Sequence, residues 1–597
     1  MAIDTPSPAQ TPGGPIAGPR TIGRLWRDGV ARFDGPAYLV EEPDGWRDVS
    51  WSEAATAVDE LANGLLSMGV GKGDAFAIAG RTRIEWALFD FALALIGAIP
   101  VGIYPASSAR DSLYIAQHSE AVGVLAEDAE ELEKTCDARL DHRLTFAELD
   151  QVRARGHEFA DRHPGALAAA EAAVGESDVF TYIYTSGTTG RPKGCMILHR
   201  NYYEMCAIVG RIESFLIDRD VLLLFLPLAH NFARLIHLLG PYLGYTVAFC
   251  PDPQRVSEVL SQVRPTVLPS VPRVYEKMHG AVNAKFAEAT GPRRRLIDWA
   301  LGVGRQASEL RRHGRALPRA LAVQHRLADR LVYAKVKERL GGRLRFAVSG
   351  GAPLAREIGE FFHALDVLVL EGYGLTECTT ACAVNRPDRY RFGTVGPAMP
   401  GVELRLAGDG ELEILSPTIF AGYYKDAEAT RAVLTDDGWL RSGDIATIDA
   451  DGFVSITDRK KDILVTAGGK NIAPQDLENA LKGSRYVSQA LVVGDRRPYA
   501  AALITLEEVE IARWARERGL PEDVAELAER EDVRALVQEA VDTTNDGRSR
   551  FEQVKRFSLL PRDFSAEHGE VTPTMKLKRR VCEQHFSDEI ERLYAPR

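Results

Sequence analysis

Residues 52–80, SEAATAVDELANGLLSMGVGKGDAFAIAG, constrain the fold more than any other stretch of the chain. Ala55, Val58, Leu61, Leu65 and Leu66 recur at helical spacing behind Ser52 as the expected N-cap. GVGKGD then turns the chain, and AFAIAG is a short unbroken apolar run suited to a strand covered on both faces. Similar alternation returns through residues 86–104, 221–228 (VLLLFLPL), 246–249 and 344–348, which predicts layered α/β architecture with buried strands. No repeat of fixed period accompanies it.

At 597 residues the chain exceeds what one hydrophobic core sustains, so several domains are expected. The net charge of −11 excludes a global affinity for nucleic acid. Seven scattered cysteines without a CxxC pair argue against a disulfide framework or a zinc site and fit a reducing cytoplasm. Residues 1–20, rich in Pro, Gly and Ala, lack the basic and apolar regions of a signal peptide and read as a disordered tail. The longest apolar run, FALALIGAIPVGIY (91–104), is shorter than the roughly 20 residues needed to span a bilayer, and Pro100 interrupts it.

Residues 293–345 carry fifteen Arg or Lys against four Asp or Glu, about +11 in an acidic chain. Mostly helical in pattern, this segment reads as a solvated face or as a surface for anionic lipid head groups or a phosphorylated cofactor. After about Gly393 the texture changes to hairpins, GVELRLAGDGELEIL and GDIATIDADGFVSITDR, each with a DG pair. DADGF lacks the spacing and the later Glu of a calcium loop and reads as a turn. From Asp458 the charged DRKKD run has the composition of a linker that turns without breaking a core.

The chemistry concentrates first in TYIYTSGTTGRPKG (181–194), where glycines and hydroxyls follow a β-branched and aromatic run. Glycines admit a close backbone approach, hydroxyls and amides donate to phosphate oxygens, and Lys193 supplies a mobile charge. A Walker P-loop is excluded, because Lys193 lies between Pro192 and Gly194 instead of preceding Ser or Thr at a helix start.

YTSGTTGRPKG resembles the phosphate loop of the acyl-adenylate-forming enzymes, the superfamily of acyl-CoA synthetases, adenylation domains and luciferases. The resemblance continues in order through SGGAP (349–353), EGYGLTE (371–377), GWLRSGD (438–444), DRKKD (458–462), GGKNIAP (468–474) and TPTMKLKR (572–579), covering roughly residues 25 to 585. It implies an α/β fold: a large multi-subdomain N-terminal domain of layered α/β sheets plus a small β-barrel-like part (residues 21–457), a hinge (458–462), and a small mobile α+β C-terminal domain (463–597).

The same resemblance implies the site. Thr185, Ser186, Gly187, Thr188, Thr189 and Lys193 would hold the phosphates, with Gly350 and Gly351 beside them. Tyr373 would stack on adenine, Thr376 contact phosphate, and Glu377 hold Mg²⁺. Asp444 and Arg459 would bind the ribose hydroxyls. Lys576 would bridge carboxylate and α-phosphate; many relatives place this lysine after a Ser-Gly pair, whereas TPT-x-K-x-K-R is the long-chain form. After adenylation the small domain would rotate about Lys461, withdraw Lys576 and present Gly468 and Gly469 to the thiol of coenzyme A.

SVPRVYEKM (270–278), the basic insertion and FEQVKRFSLLP (551–561) resemble the long-chain branch. LPLAHNFARLIHLLGPYL offers His230 and Phe232, with no Asp near Phe232 to meet an ammonium group. A long-chain fatty acid, ATP, Mg²⁺ and coenzyme A are the expected substrates and cofactors, with peripheral membrane contact through residues 293–345. Transfer to a carrier protein and a silent nucleotide-binding relative stay as alternatives; oligomeric state, a homodimer included, is open.

Overall fold

In the computed structural model, residues 18–185, 191–467, 470–565, 567–572 and 576–595 are described. Of the expected tail, residues 1–17 lie outside them. Arg20 is tied to Glu176 at 2.8 Å and to Glu204, which fixes the start of the described chain.

Two large sheets carry the N-terminal part. An eight-stranded sheet runs in the order Ala383–Val384, Val369–Tyr373, Phe346–Ser349, Val267–Ser270, Val221–Leu224, Thr246–Phe249, Pro36–Glu42, Gly45–Ser50, parallel except at its two edges. A six-stranded sheet has the order His142–Thr145, Gly123–Ala126, Ala75–Ala79, Ile99–Ile103, Val179–Thr185, Lys193–Leu198. The unbroken apolar runs become these inner strands because helices cover both faces. The first predicted unit forms the helix Trp51–Ser67 and the strand Ala75–Ala79, with one correction: the cap is Ser50, whose hydroxyl accepts from Glu53 N at 3.1 Å, and not Ser52. Of VLLLFLPL only Val221–Leu224 is strand, since Pro227 cannot extend the ladder.

The helices Ile84–Ile96 and Asn231–Leu243 are apolar nearly all round and almost wholly buried. Arg234 joins them: its guanidinium pairs with Asp90, donates to Thr181 Oγ1 at 2.6 Å and lies over the Trp86 and Phe180 rings. Thr181 belongs to the strand that leads into the phosphate loop, so one buried cation fastens elements of both sheets.

The expected hairpins join a five-stranded antiparallel sheet, in the order Gly396–Pro397, Phe453–Arg459, Leu440–Ile448, Glu411–Leu415, Glu403–Leu406. DADGF is a turn closed by Asp449 Oδ1, which accepts from Asp451 N and Phe453 N, both at 2.9 Å. The main core ends at Val454, and a separate one begins at Leu464 around the sheet Val487–Val493, Ala500–Leu506, Val554–Leu559. Residues 293–345 are largely helical, chiefly Gly291–Arg312 and Arg319–Ala328. No helix of the described residues is long and apolar enough to cross a membrane.

Candidate active site

The site forms where the C-terminal ends of the eight-stranded sheet meet the antiparallel strands Val179–Thr185 and Lys193–Leu198, the five-stranded sheet and the small domain. Thr185 ends its strand in register with Lys193. Between them, Ser186, Gly187, Thr188 and Thr189 lie outside the described residues. Lys193 Nζ stands 3.2 Å from Asp426 Oδ2 and 5.2 Å from the centre of the Tyr423 ring.

The EGYGLTE segment leaves the strand Val369–Tyr373 and enters a 3₁₀ turn, Thr376–Cys378, in which Thr376 is buried. Gly374 is required there: a Cβ would lie 1.4 Å from Thr380 O. Glu377 is oriented before any ligand binds, because Tyr423 Oη donates to its Oε1 at 2.6 Å and Phe420 N to its backbone carbonyl at 2.9 Å.

Tyr373 Oη donates to Asp444 Oδ2 at 2.5 Å, and Arg459 Nε stands 3.3 Å from Asp444 Oδ1. Asp444 and Arg459 are cross-strand partners, which explains why residues fifteen apart in sequence meet. In SGGAP, Gly350 N donates to Ser270 O at 3.0 Å, while the buried hydroxyls of Ser270 and Ser349 have no partner among the described atoms. Gly351 takes φ +84°.

Lys576 reaches this cluster from the small domain. Thr572 N donates to Lys576 O at 2.8 Å and Lys576 N to Thr572 Oγ1 at 3.0 Å, and these two bonds set the lysine's position. The side chain is exposed to solvent, yet the protein packed around it desolvates the ammonium. Desolvation lowers it to about 8, with a further push from Arg459, opposed by Asp444 and Glu377. Desolvation and Arg459 also lower Lys461, so both lysines sense the same cluster. Gly468 and Gly469 lie outside the described residues.

A cleft of about 770 Å³, the solvent space at its opening included, starts at this point. Gly350, Gly351 and Tyr373 line its end beside Asp444, and His230, Phe232, Leu235 and Leu239 line its side. Leu222 and Val267, at or near the starts of parallel strands whose ends bear the site, mark how far it penetrates. Its exposed wall is almost entirely apolar. His230 Nδ1 accepts from Phe232 N at 3.2 Å; burial, then the Lys576 charge, lower the imidazole to about 3, so a neutral ring sits at the mouth.

Three contributors escaped the sequence reading. Tyr423 and Asp426, in AGYYKD, are brought in only by tertiary pairing of Cys195 with Tyr423. Burial pushes Glu371 up to about 8, where Leu354 N donates to Oε1 at 3.0 Å. No periodicity or spacing marks Tyr423 or Asp426, and Glu371 opens the EGYGLTE motif without a role assigned to it there.

The described residues contain no cluster of three His, Cys, Asp or Glu side chains able to hold a metal unaided. Glu377 fits Mg²⁺ nonetheless, because that ion commonly takes one or two carboxylates and completes its shell with waters and substrate phosphates.

This combination of fold and site defines a class. The chain belongs to the AMP-binding enzyme family, whose main domain matches residues 27–424 and whose C-terminal domain matches residues 461–597. More particularly, it is 38% identical to the long-chain-fatty-acid–CoA ligase FadD15 of Mycobacterium bovis, over 97% of this chain and 99% of that protein. It is 29% identical to the long-chain-fatty-acid–CoA ligase ACSBG2 of Xenopus laevis, over 96% of this chain and 84% of that one. Among solved structures, the adenylation domain of a carboxylate reductase from Mycobacterium chelonae superposes with a TM-score of 0.75 at 23% identity, covering 96% of this chain and 91% of that domain.

Proposed function

We propose that the protein activates a long-chain fatty acid with ATP and passes the acyl group to coenzyme A. The observation that supports this reading is a shared wall: Tyr373, hydrogen-bonded to Asp444, and Gly350 and Gly351, which would lie beside the phosphates, also line the apolar cavity. An aliphatic acid lying in that cavity presents its carboxylate to the α-phosphate. The names of the relatives, long-chain-fatty-acid–CoA ligases, point to the same chemistry.

In the first half-reaction a carboxylate oxygen attacks the α-phosphorus and the bond to pyrophosphate breaks. Both reactants are anions, so cations must be in place before they meet. Lys576 lies within the electrostatic reach of Asp444 and Glu377 and would bridge carboxylate and α-phosphate. Lys193 would exchange Asp426 for phosphate oxygens, with Thr185 and Thr376 adding hydroxyl donors. Asp444, held by Tyr373 and Arg459, would accept from the ribose hydroxyls. Bound at Glu377, Mg²⁺ would neutralise phosphate charge.

In the second half-reaction the thiol sulfur attacks the acyl carbon, the mixed-anhydride C–O bond breaks, AMP departs and the thiol proton is released. Rotation about Lys461 would remove Lys576 and bring Gly468 and Gly469 to the thiol. Peripheral contact with a membrane through residues 293–345 would give access to a poorly soluble acid.

The test is incubation with palmitate and MgATP, with and without coenzyme A, following pyrophosphate, AMP and thioester. Coenzyme A-dependent AMP and palmitoyl thioester are expected. Pyrophosphate without AMP release on adding coenzyme A would overturn the acceptor, and no pyrophosphate with any fatty acid would overturn the reaction.

A further inference from the structure

Seven large apolar side chains are exposed among the described residues, and three of them, Val323, Leu327 and Leu331, are spaced four apart on one element. They are 62%, 49% and 38% exposed, whereas the other four are scattered over the chain. The element is the helix Arg319–Ala328 continued by the π turn Asp329–Tyr333. An i, i+4 row drifts around an α-helix of 3.6 residues per turn. The wider π turn opposes that drift and keeps Leu331 in line with Val323.

The opposite face of this element is already satisfied. Ala328, Val332, Tyr333 and Val336 pack on Ala300, Val303 and Leu365, and Tyr333 Oη donates to Ala300 O. The outward row therefore is not a core face in search of the rest of the protein. Cations surround it: Arg315, Arg319, Arg326, Arg330 and Lys335 are all exposed. Among the described residues, ion pairs across residues 311–337 use only Arg311, Arg312, His313 and Lys337 as cations. Asp329, the acid within the element, is held by Lys337 at 2.6 Å; Glu338 is the exposed acid at its far end.

We propose that the row Val323–Leu327–Leu331 with its flanking arginines is a docking surface for an anionic lipid bilayer. Aliphatic side chains on a convex helix enter the boundary between head groups and acyl chains while guanidinium groups stay at phosphate level. A free phosphorylated ligand would want a concave site and would gain nothing from three exposed aliphatic residues. A second copy of the chain, paired about a two-fold axis, would set this basic row against itself. The charge favours a bilayer: the chain as a whole is −11 and is repelled by anionic lipid, so a segment of about +11 orients it. This surface makes specific the membrane contact suggested above, and its test does not require the ligase reading to hold.

The test is co-sedimentation of the full chain with phosphatidylcholine vesicles, with and without phosphatidylglycerol, at low salt. Binding is expected only to the anionic vesicles and should weaken as salt is raised. Arg319→Gln, Arg326→Gln and Arg330→Gln should each weaken it about fivefold. Val323→Ser/Leu327→Ser/Leu331→Ser should weaken it about tenfold or more. Both sets should keep the wild-type melting temperature, because every substituted side chain faces solvent. Three outcomes would overturn the proposal: no binding of the wild type to anionic vesicles, variants that bind as tightly as wild type, or a lipid-free dimer that the apolar variant dissociates. Vesicle binding by a protein that makes no acyl-CoA would leave the surface standing and refute the function instead.

Discussion

Asp444 and Arg459 stand opposite each other in register across the strands Leu440–Ile448 and Phe453–Arg459, with Nε 3.3 Å from Oδ1. Tyr373 Oη holds the second oxygen at 2.5 Å. The carboxylate is thus oriented before a nucleotide arrives. Asp444→Asn substitutes an amide donor for one of the acceptor oxygens, and a lost charged hydrogen bond costs about 1.5–3 kcal/mol. The KM for ATP should rise about 10- to 100-fold, with the KM for palmitate changed less than about twofold. Steady-state titration of each substrate checks this; an unchanged KM for ATP contradicts the assignment.

Tyr423 orients Glu377 through a 2.6 Å hydrogen bond. Tyr423→Phe should raise the Mg²⁺ concentration for half-maximal rate about tenfold, as loss of a partner behind a metal ligand does. The melting temperature should fall only slightly. A wild-type Mg²⁺ titration for Tyr423→Phe would separate the tyrosine from the metal.

Glu371 has its folded pKa raised from 4.5 to about 8 by burial. Between those values the folded state holds a proton that the unfolded chain has lost, so stability falls as pH rises through this window. Glu371→Gln mimics the protonated form and should flatten that slope. Denaturant melts of both proteins from about pH 5 to about 8 check it; parallel pH dependences would contradict the burial argument.

Much of this was legible in the sequence because it is local. Helix-to-strand units, DG hairpins and the order of the motifs are all carried by neighbouring residues, and Lys193, Glu377, Asp444, Arg459 and Lys576 stand in those motifs. Tyr423, Asp426 and Glu371 were missed for a physical reason. Tyr423 and Asp426 act through contacts with residues 46 and 233 positions earlier in the chain, Glu377 and Lys193. Glu371 is distinguished only by what buries it. The cap at Ser50 instead of Ser52 has a simpler cause, because two serines flank Trp51 and only packing of that residue chooses between them.

Arg273, in SVPRVYEKM, donates to Ser488 Oγ at 2.9 Å and pairs with Glu507 at 3.0 Å, both on the small domain. The rotation of that domain about Lys461 proposed above would break these contacts. Arg273→Ala should slow adenylate formation about two- to tenfold, the range for a partly buried ion pair, and leave thioester formation from preformed acyl adenylate unchanged or faster. Single-turnover assays of each half-reaction check this; equal slowing of both would contradict a role for these contacts in the adenylation arrangement.

Lys576, lowered to about 8, would need its proton for the proposed bridge between two anions. Adenylate formation should therefore fall as pH rises through about 8. Stability moves the other way: between about 8 and 10.5 the unfolded chain binds more protons than the fold, so stability rises with pH there. Lys576→Arg should retain part of the rate with a flat profile, since a guanidinium stays charged throughout.

The most direct test of one site running two reactions is Lys576→Ala followed in separate half-reactions. Pyrophosphate release from palmitate and MgATP should drop by about 10²- to 10³-fold. Conversion of preformed palmitoyl-AMP and coenzyme A to thioester should proceed at the wild-type rate. Equal loss of both half-reactions, or retention of the first, would contradict the account.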